Sequence, residues 1–257
     1  MTLHHQIRNR TASTIRFLRG REPIVMIGLL LVVVGTWGFI ELADEVIEGS
    51  TGNFDRRAAQ MMRDSSDPSK PIGPAWMAQV GRDLTALGGV AVLTLFIAAA
   101  VGFLAVCRAY RTMIVLLVST STGIAASLVM KHFFARPRPD VVPHLDHVYT
   151  SSFPSGHSMM SALVYLTLGV LIAPVLKGFW VRFYVLAIAV GLTVLVGVSR
   201  VYMGVHYPTD VLAGWTAGLV WALICWLIAK ASTPSSEEAS VRVLEPSHTP
   251  IGVGKSG

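Results

Sequence analysis

The chain has 257 residues, 53% of them hydrophobic and only 14% charged, with a mean hydropathy of +0.58. Ordinary globular domains carry about 25% charged residues, so this composition excludes a large soluble domain and points to an integral membrane protein. The net charge of +6 then calls for a membrane explanation before a nucleic-acid one. Cys107 and Cys225 lie within or at the end of apolar runs; they read as reduced packing residues, not a disulfide or metal pair.

Residues 1–22 form a basic tail, with Arg8, Arg10, Arg16, Arg19 and Arg21 against Glu22. Six apolar runs follow, near 23–42, 86–107, 112–130, 158–176, 180–198 and 210–229, each close to the roughly 20 residues that cross a bilayer. Each must be helical, because unpaired backbone cannot face lipid. The expected fold is all-α: a polytopic bundle of six transmembrane helices over 23–230. The first run is too long for the apolar core of a signal peptide. No small-x-small cleavage pattern follows it in "GFIELADEVIEGS", so it is read as an uncleaved anchor.

Between the first two runs, "FDRRAAQMMRD" places Phe54, Ala58, Met61 and Met62 on one helical face, which reads as an amphipathic helix on the membrane surface. Tight turns at Arg108–Arg111 and around Lys177–Arg182 make helical hairpins of runs two and three and of runs four and five. With six spans, these bases, the N-terminal arginines and Lys230 share one side, which the positive-inside rule makes cytoplasmic. The last segment, 231–257, is rich in Ser, Pro and Glu and reads as a disordered cytoplasmic tail.

Three polar clusters then fall on the opposite, outer side: "KHFFARPRPD" after the third run, "PSGH" before the fourth, and "SRVYMGVHYPTD" between the fifth and sixth. They hold Lys131, Arg136, Arg138, Arg200, His157 and His206. Singly, Lys131 or Arg200 reads as a snorkelling anchor, as Arg136 does in the same stretch, and Asp210 as a dipole partner in a first helical turn. So many bases on the disfavoured side, at three helix ends, read instead as a site.

The chemistry of that site is anionic. Fixed cations with two histidines repel a divalent metal and suit a phosphate. A zinc reading through His144, Asp146 and His147 lacks a compatible field, and no metal or cofactor is expected. Pro137 and Pro139 stop the helix after Lys131 and let Arg138 fold back toward it. Ser155, Gly156 and His157 stand at a helix start, where free N–H groups favour an anion, and Gly156 lets that backbone approach closely. His206 precedes Pro208 at the start of the last helix, with Asp210 in its first turn. An aspartate on one ring nitrogen fixes the tautomer and leaves the other lone pair outward, as a nucleophile requires. His157 can then protonate a leaving oxygen.

The spacing K-x6-RP (Lys131, Arg138, Pro139), PSGH (Pro154 to His157) and SR-x5-H-x3-D (Ser199, Arg200, His206, Asp210) resembles the three-part signature of the type 2 phosphatidic acid phosphatase superfamily, over about 131–215. "GVHYPTDVLAGW" and "DLTALGG" are similar to its bacterial membrane branch. The resemblance implies a metal-independent phosphatase with a six-helix core and a phosphohistidine intermediate. His206 would be the nucleophile, Asp210 its orienting group and His157 the general acid and then base. Lys131, Arg138, Arg200, Ser155 and the Gly156 N–H would hold the phosphoryl oxygens.

The expected partner is a membrane lipid phosphate, with water as co-substrate and no nucleic acid. Within such a family undecaprenyl diphosphate, phosphatidylglycerophosphate and phosphatidic acid all fit, and an outward-facing site favours the first. Two other classes compete. Vanadate haloperoxidases share the pocket but resemble soluble proteins. A non-catalytic lipid-binding or translocating protein would need only the cations, not His206, Asp210 and His157.

Overall fold

The computed structural model describes residues 23–134, 136–139, 151–173 and 176–231. The two tails lie outside them, as does the stretch with His144, Asp146 and His147 on which the zinc reading rests. Among the described residues eight α-helices follow one another: α1 (Pro23–Glu48), α2 (Gly52–Met61), α3 (Ala75–Ala86), α4 (Val90–Val106), α5 (Tyr110–Phe133), α6 (Gly156–Ile172), α7 (Phe179–Tyr202) and α8 (Pro208–Ala231). Among the described residues there is no strand, only one isolated bridge from Arg63 to Pro71.

Among the described residues four helices, α1, α5, α7 and α8, are long and apolar enough to cross a membrane. α3 and α4 make a fifth span if taken together, bent by 47°. α6 is apolar but has only 17 residues, about 26 Å at 1.5 Å per residue. By length and composition the described residues thus offer four to five spans where six are expected: the second run opens at the bend between α3 and α4, and the fourth yields only the short α6. The first also runs on to Glu48.

α6 is the core of the bundle. Ser158, Met159, Ser161, Ala162, Leu163, Val164, Tyr165, Thr167 and Gly169 are all buried along it, packed between α7 and α8, while α1 lies along α8. The closest approach is set by Gly214 and Gly218 on α8. A Cβ on Gly214 would lie 2.6 Å from the Ser155 carbonyl oxygen, and one on Gly218 would strike that of Met159. A small-xxx-small face of this kind lets two membrane helices meet backbone to backbone. The other faces of α1 and α7 expose large apolar side chains, including Val33, Trp37, Phe183 and Val190, as lipid contact requires.

α2 forms where the amphipathic pattern predicts. Phe54 and Met61 are exposed, and its buried residues are Asp55 and Ala59. Of the cysteines, both free, Cys225 is half-buried but Cys107 is exposed at the end of α4. The packing reading fails for Cys107, which is exposed at a helix cap.

Candidate active site

The ends of α5 and α7 and the starts of α6 and α8 build one site. α7 stops through a capping turn written into "RVYMGVH". Gly204 takes a left-handed conformation with φ 73°. Its N–H donates to the Val201 carbonyl at 2.9 Å, and the Val205 N–H donates to that of Arg200 at 3.2 Å. These are the two bonds of a Schellman cap. The turn reverses the chain and delivers His206, 1% exposed, a fixed six positions after Arg200.

α8 opens with Pro208, whose missing N–H costs nothing in a first turn. Asp210 in that turn is fully buried and is held by donors on both oxygens. Oδ2 accepts from the Tyr207 N–H at 2.9 Å and from the Ser152 hydroxyl, and it lies 3.4 Å from His206 Nδ1. Oδ1 accepts from Arg136 Nη1 at 2.6 Å. Ser152 Oγ is also 3.3 Å from His206 Nδ1, so the Nδ1 proton is shared between serine and aspartate and Nε2 keeps its lone pair. The 3.4 Å separation is long for a full hydrogen bond; such contacts tighten as charge develops in the reaction. Burial pushes His206 down to about 4, Arg200 and Arg138 adding to the fall and Asp210 opposing it. The ring is neutral at pH 7.

Around this pair stand the cations. Lys131, in the last turn of α5, interacts electrostatically with Arg138, Arg200 and Asp210. His157 interacts with Arg200, His206, Lys131 and Arg138. A Cβ on Gly156 would sit 3.2 Å from Lys131 Nζ, so glycine lets the lysine reach the α6 start. No side chain caps α6. The Ser155 N–H donates to the Asp210 carbonyl at 2.9 Å, tying "PSGH" to "HYPTD". Arg138 Nη1 donates to the Val205 carbonyl at 3.4 Å. Arg200 Nε is buried with no hydrogen-bond partner among the described residues. An orphaned donor on a guanidinium is costly, and an oxyanion would satisfy it.

The structure thus brings all eight candidate residues, Lys131, Arg138, Ser155, Gly156, His157, Arg200, His206 and Asp210, to one end of the bundle. Four further residues join them that the motifs do not name: Ser152, Asp55, Thr209 and Arg136. Arg136 is no lipid-facing anchor. Its guanidinium bridges Asp55 and Asp210, each at 2.6 Å, and lies 4.7 Å over the Tyr207 ring. Burial works against its charge, but the carboxylates outweigh that and its pKa rises. The repeated Arg-Pro in "ARPRPD" is the one sequence signal for it. Among the described residues no group of three His, Cys, Asp or Glu side chains could hold a metal.

Residues 111–234 match the family model described as the PAP2 superfamily. Phosphatidylglycerophosphatase B of Bacillus subtilis is 36% identical over 153 residues, which cover 58% of this chain and 73% of that protein. The chain belongs to the PAP2 superfamily. The PAP2 fold also extends over most of the molecule. A crystal structure of a transmembrane PAP2-type phosphatidylglycerolphosphate phosphatase from Bacillus subtilis aligns with a TM-score of 0.71 at 28% identity, covering 79% of this chain and 98% of that one. An undecaprenyl-diphosphatase from Sulfolobus acidocaldarius is 34% identical over 116 residues, or 43% of this chain and 52% of that protein; the chain spans about half the length of that relative. The PAP2 match takes in every candidate motif residue but begins after α4, so Asp55 lies outside it.

Proposed function

We propose that this membrane phosphatase removes a phosphoryl group from a lipid phosphate or diphosphate through a covalent phosphohistidine. The observation that carries the proposal is the buried His206, its Nδ1 turned to Asp210 and Ser152, beside Lys131, Arg138 and Arg200. His206 Nε2 attacks phosphorus and forms the N–P bond as the bond from phosphorus to the lipid-side oxygen breaks. His157 gives that oxygen its proton. Water then attacks the phosphohistidine, His157 takes the proton back, and the N–P bond breaks to release phosphate and restore both histidines. Asp210 steadies the positive charge that His206 acquires. Lys131, Arg138, Arg200, Ser155 and the Gly156 N–H hold the phosphoryl oxygens, in ground and transition states alike.

The bilayer carries six crossings in this reading, with α3–α4 as one broken span and α6 as the short one. Both chain ends are cytoplasmic and the site opens on the outer face, because Arg108, Arg111, Lys177, Arg182 and Lys230 all lie at the opposite helix ends. A site there takes lipids of the outer leaflet, and undecaprenyl diphosphate is the substrate favoured, ahead of phosphatidylglycerophosphate and phosphatidic acid.

The test is phosphate release by the purified protein from these three lipids, with and without EDTA. Turnover is expected to survive chelation, because the site is cationic. His206→Ala is expected to abolish turnover and phosphohistidine labelling while substrate binding persists, whereas Arg200→Ala weakens both binding and turnover. EDTA inhibition reversed by Mg²⁺ or Zn²⁺, or labelling that survives in His206→Ala, refutes the mechanism.

A further inference from the structure

The start of α8 carries the whole nucleophile assembly, yet its own sequence cannot cap it. The residue before Pro208 is Tyr207, which has no short side-chain acceptor to bend onto the first-turn N–H groups. Asp210 supplies one half of a capping box by accepting from the Tyr207 N–H at 2.9 Å. The other half comes from outside. Asp55, on the surface helix α2, accepts from the Thr209 N–H at 3.2 Å through Oδ1 and from the Thr209 hydroxyl at 2.6 Å through Oδ2. A carboxylate borrowed from α2 therefore does what an N-cap residue normally does, and it is favoured there by the helix dipole.

The same carboxylate also fixes Arg136. Arg136 Nη2 donates to Asp55 Oδ2 at 2.6 Å, while Nη1 donates to the Thr209 hydroxyl at 2.8 Å and to Asp210 Oδ1 at 2.6 Å. The fork leaves the guanidinium little freedom, and its seat over Tyr207 removes more. With Oδ1 held by Arg136, the Asp210 carboxylate cannot rotate, so Oδ2 stays at His206 Nδ1. Asp55 and Asp210 are both buried, where a charge missing its partner is costly, so this geometry is strongly enforced.

We propose that Asp55 and Arg136 are positioning residues for the phosphatase reaction: Asp55 caps α8 in trans and locks Arg136, and Arg136 aims Asp210 at His206. The role rests on the function proposed above, and it assigns work to α2, a helix outside the family match that otherwise reads as a membrane-surface element.

The test uses the full-length protein with Asp55→Asn, which keeps shape and loses charge, and Arg136→Lys, which keeps charge and loses the fork, singly and together. A small misplacement of a reacting group costs about 100-fold in rate, and a kcat loss of about that size is expected in each single variant, with KM and inorganic phosphate binding little changed at a temperature well below the lowered Tm that a broken buried ion pair brings. The double variant is expected to be no slower than Arg136→Lys, since residues acting through one another are not additive. An activity-independent readout is the low-field Nδ1–H resonance of His206 in histidine-labelled protein, assigned by its loss in His206→Asn; it is expected to broaden or move in Asp55→Asn. Wild-type kcat in Asp55→Asn overturns the proposal, as does a kcat loss that merely tracks lost phosphate binding. If the wild type hydrolyses no lipid phosphate while the resonance still responds to Asp55→Asn, the function fails and the positioning role stands.

Discussion

At His206 burial and the neighbouring carboxylate pull in opposite directions, and burial prevails. Burial pushes the imidazole down to about 4 in the folded protein against an ordinary value of 6.5. Below 6.5 the unfolded chain takes up a proton that the folded chain refuses. The neutral ring's contribution to stability is therefore complete above that value and is lost as pH falls toward about 4. A shift of this size corresponds to about 3 kcal/mol. Thermal unfolding in detergent is expected to show a steep acid-side fall of Tm in this window, and His206→Asn is expected to flatten it. An equally steep fall in the variant would place the titration elsewhere. The residues of this site were legible in the sequence because its chemistry restricts residue type: cations for an anion, a histidine four positions before an aspartate. Ser152 was not, because a serine beside other serines carries no such restriction.

Among the elements, the contact between α6 and α8 decides the geometry most directly. Gly214 puts α8 against the backbone of Ser155, and the Ser155 N–H bond to the Asp210 carbonyl depends on that closeness. Gly214→Ala overpacks this contact, which costs about 1–3 kcal/mol, and is expected to lower Tm and turnover together. Gly102→Ala is the matched control, since a Cβ there meets nothing within 4 Å. Equal effects from both would mean that the helix contact does not set the site. Hydropathy located the helices because a membrane span is an average over many residues. The same averaging hid the bend between α3 and α4, and it hid the shortness of α6. Periodicity found α2 and its apolar face. It could not show that Asp55, beside Met62 on the helix, is buried, because its partners Arg136 and Thr209 lie far along the chain, Thr209 154 positions away.

For the whole molecule, sidedness is the property on which substrate choice depends. In a Cys107→Ser, Cys225→Ser background, a cysteine at Ser65, exposed in the segment after α2, is expected to react with an impermeant thiol reagent in intact cells. One at Lys177, exposed before α7, is expected to react only after the membrane is opened. The reverse pattern would place the site in the cytoplasm and withdraw the preference for an outer-leaflet carrier lipid.

The long reach from α2 to α8 also sets an order of manufacture. A ribosome makes the Asp55 end of this contact early, while the histidine and aspartate that Asp55 serves lie at the start of α8 and are made much later. Lys131, Arg138 and His157 arrive in between. A nascent chain that lacks α8 lacks the proposed nucleophile, so it is expected to be inert toward the lipids around it, with hydrolysis beginning only when α8 docks.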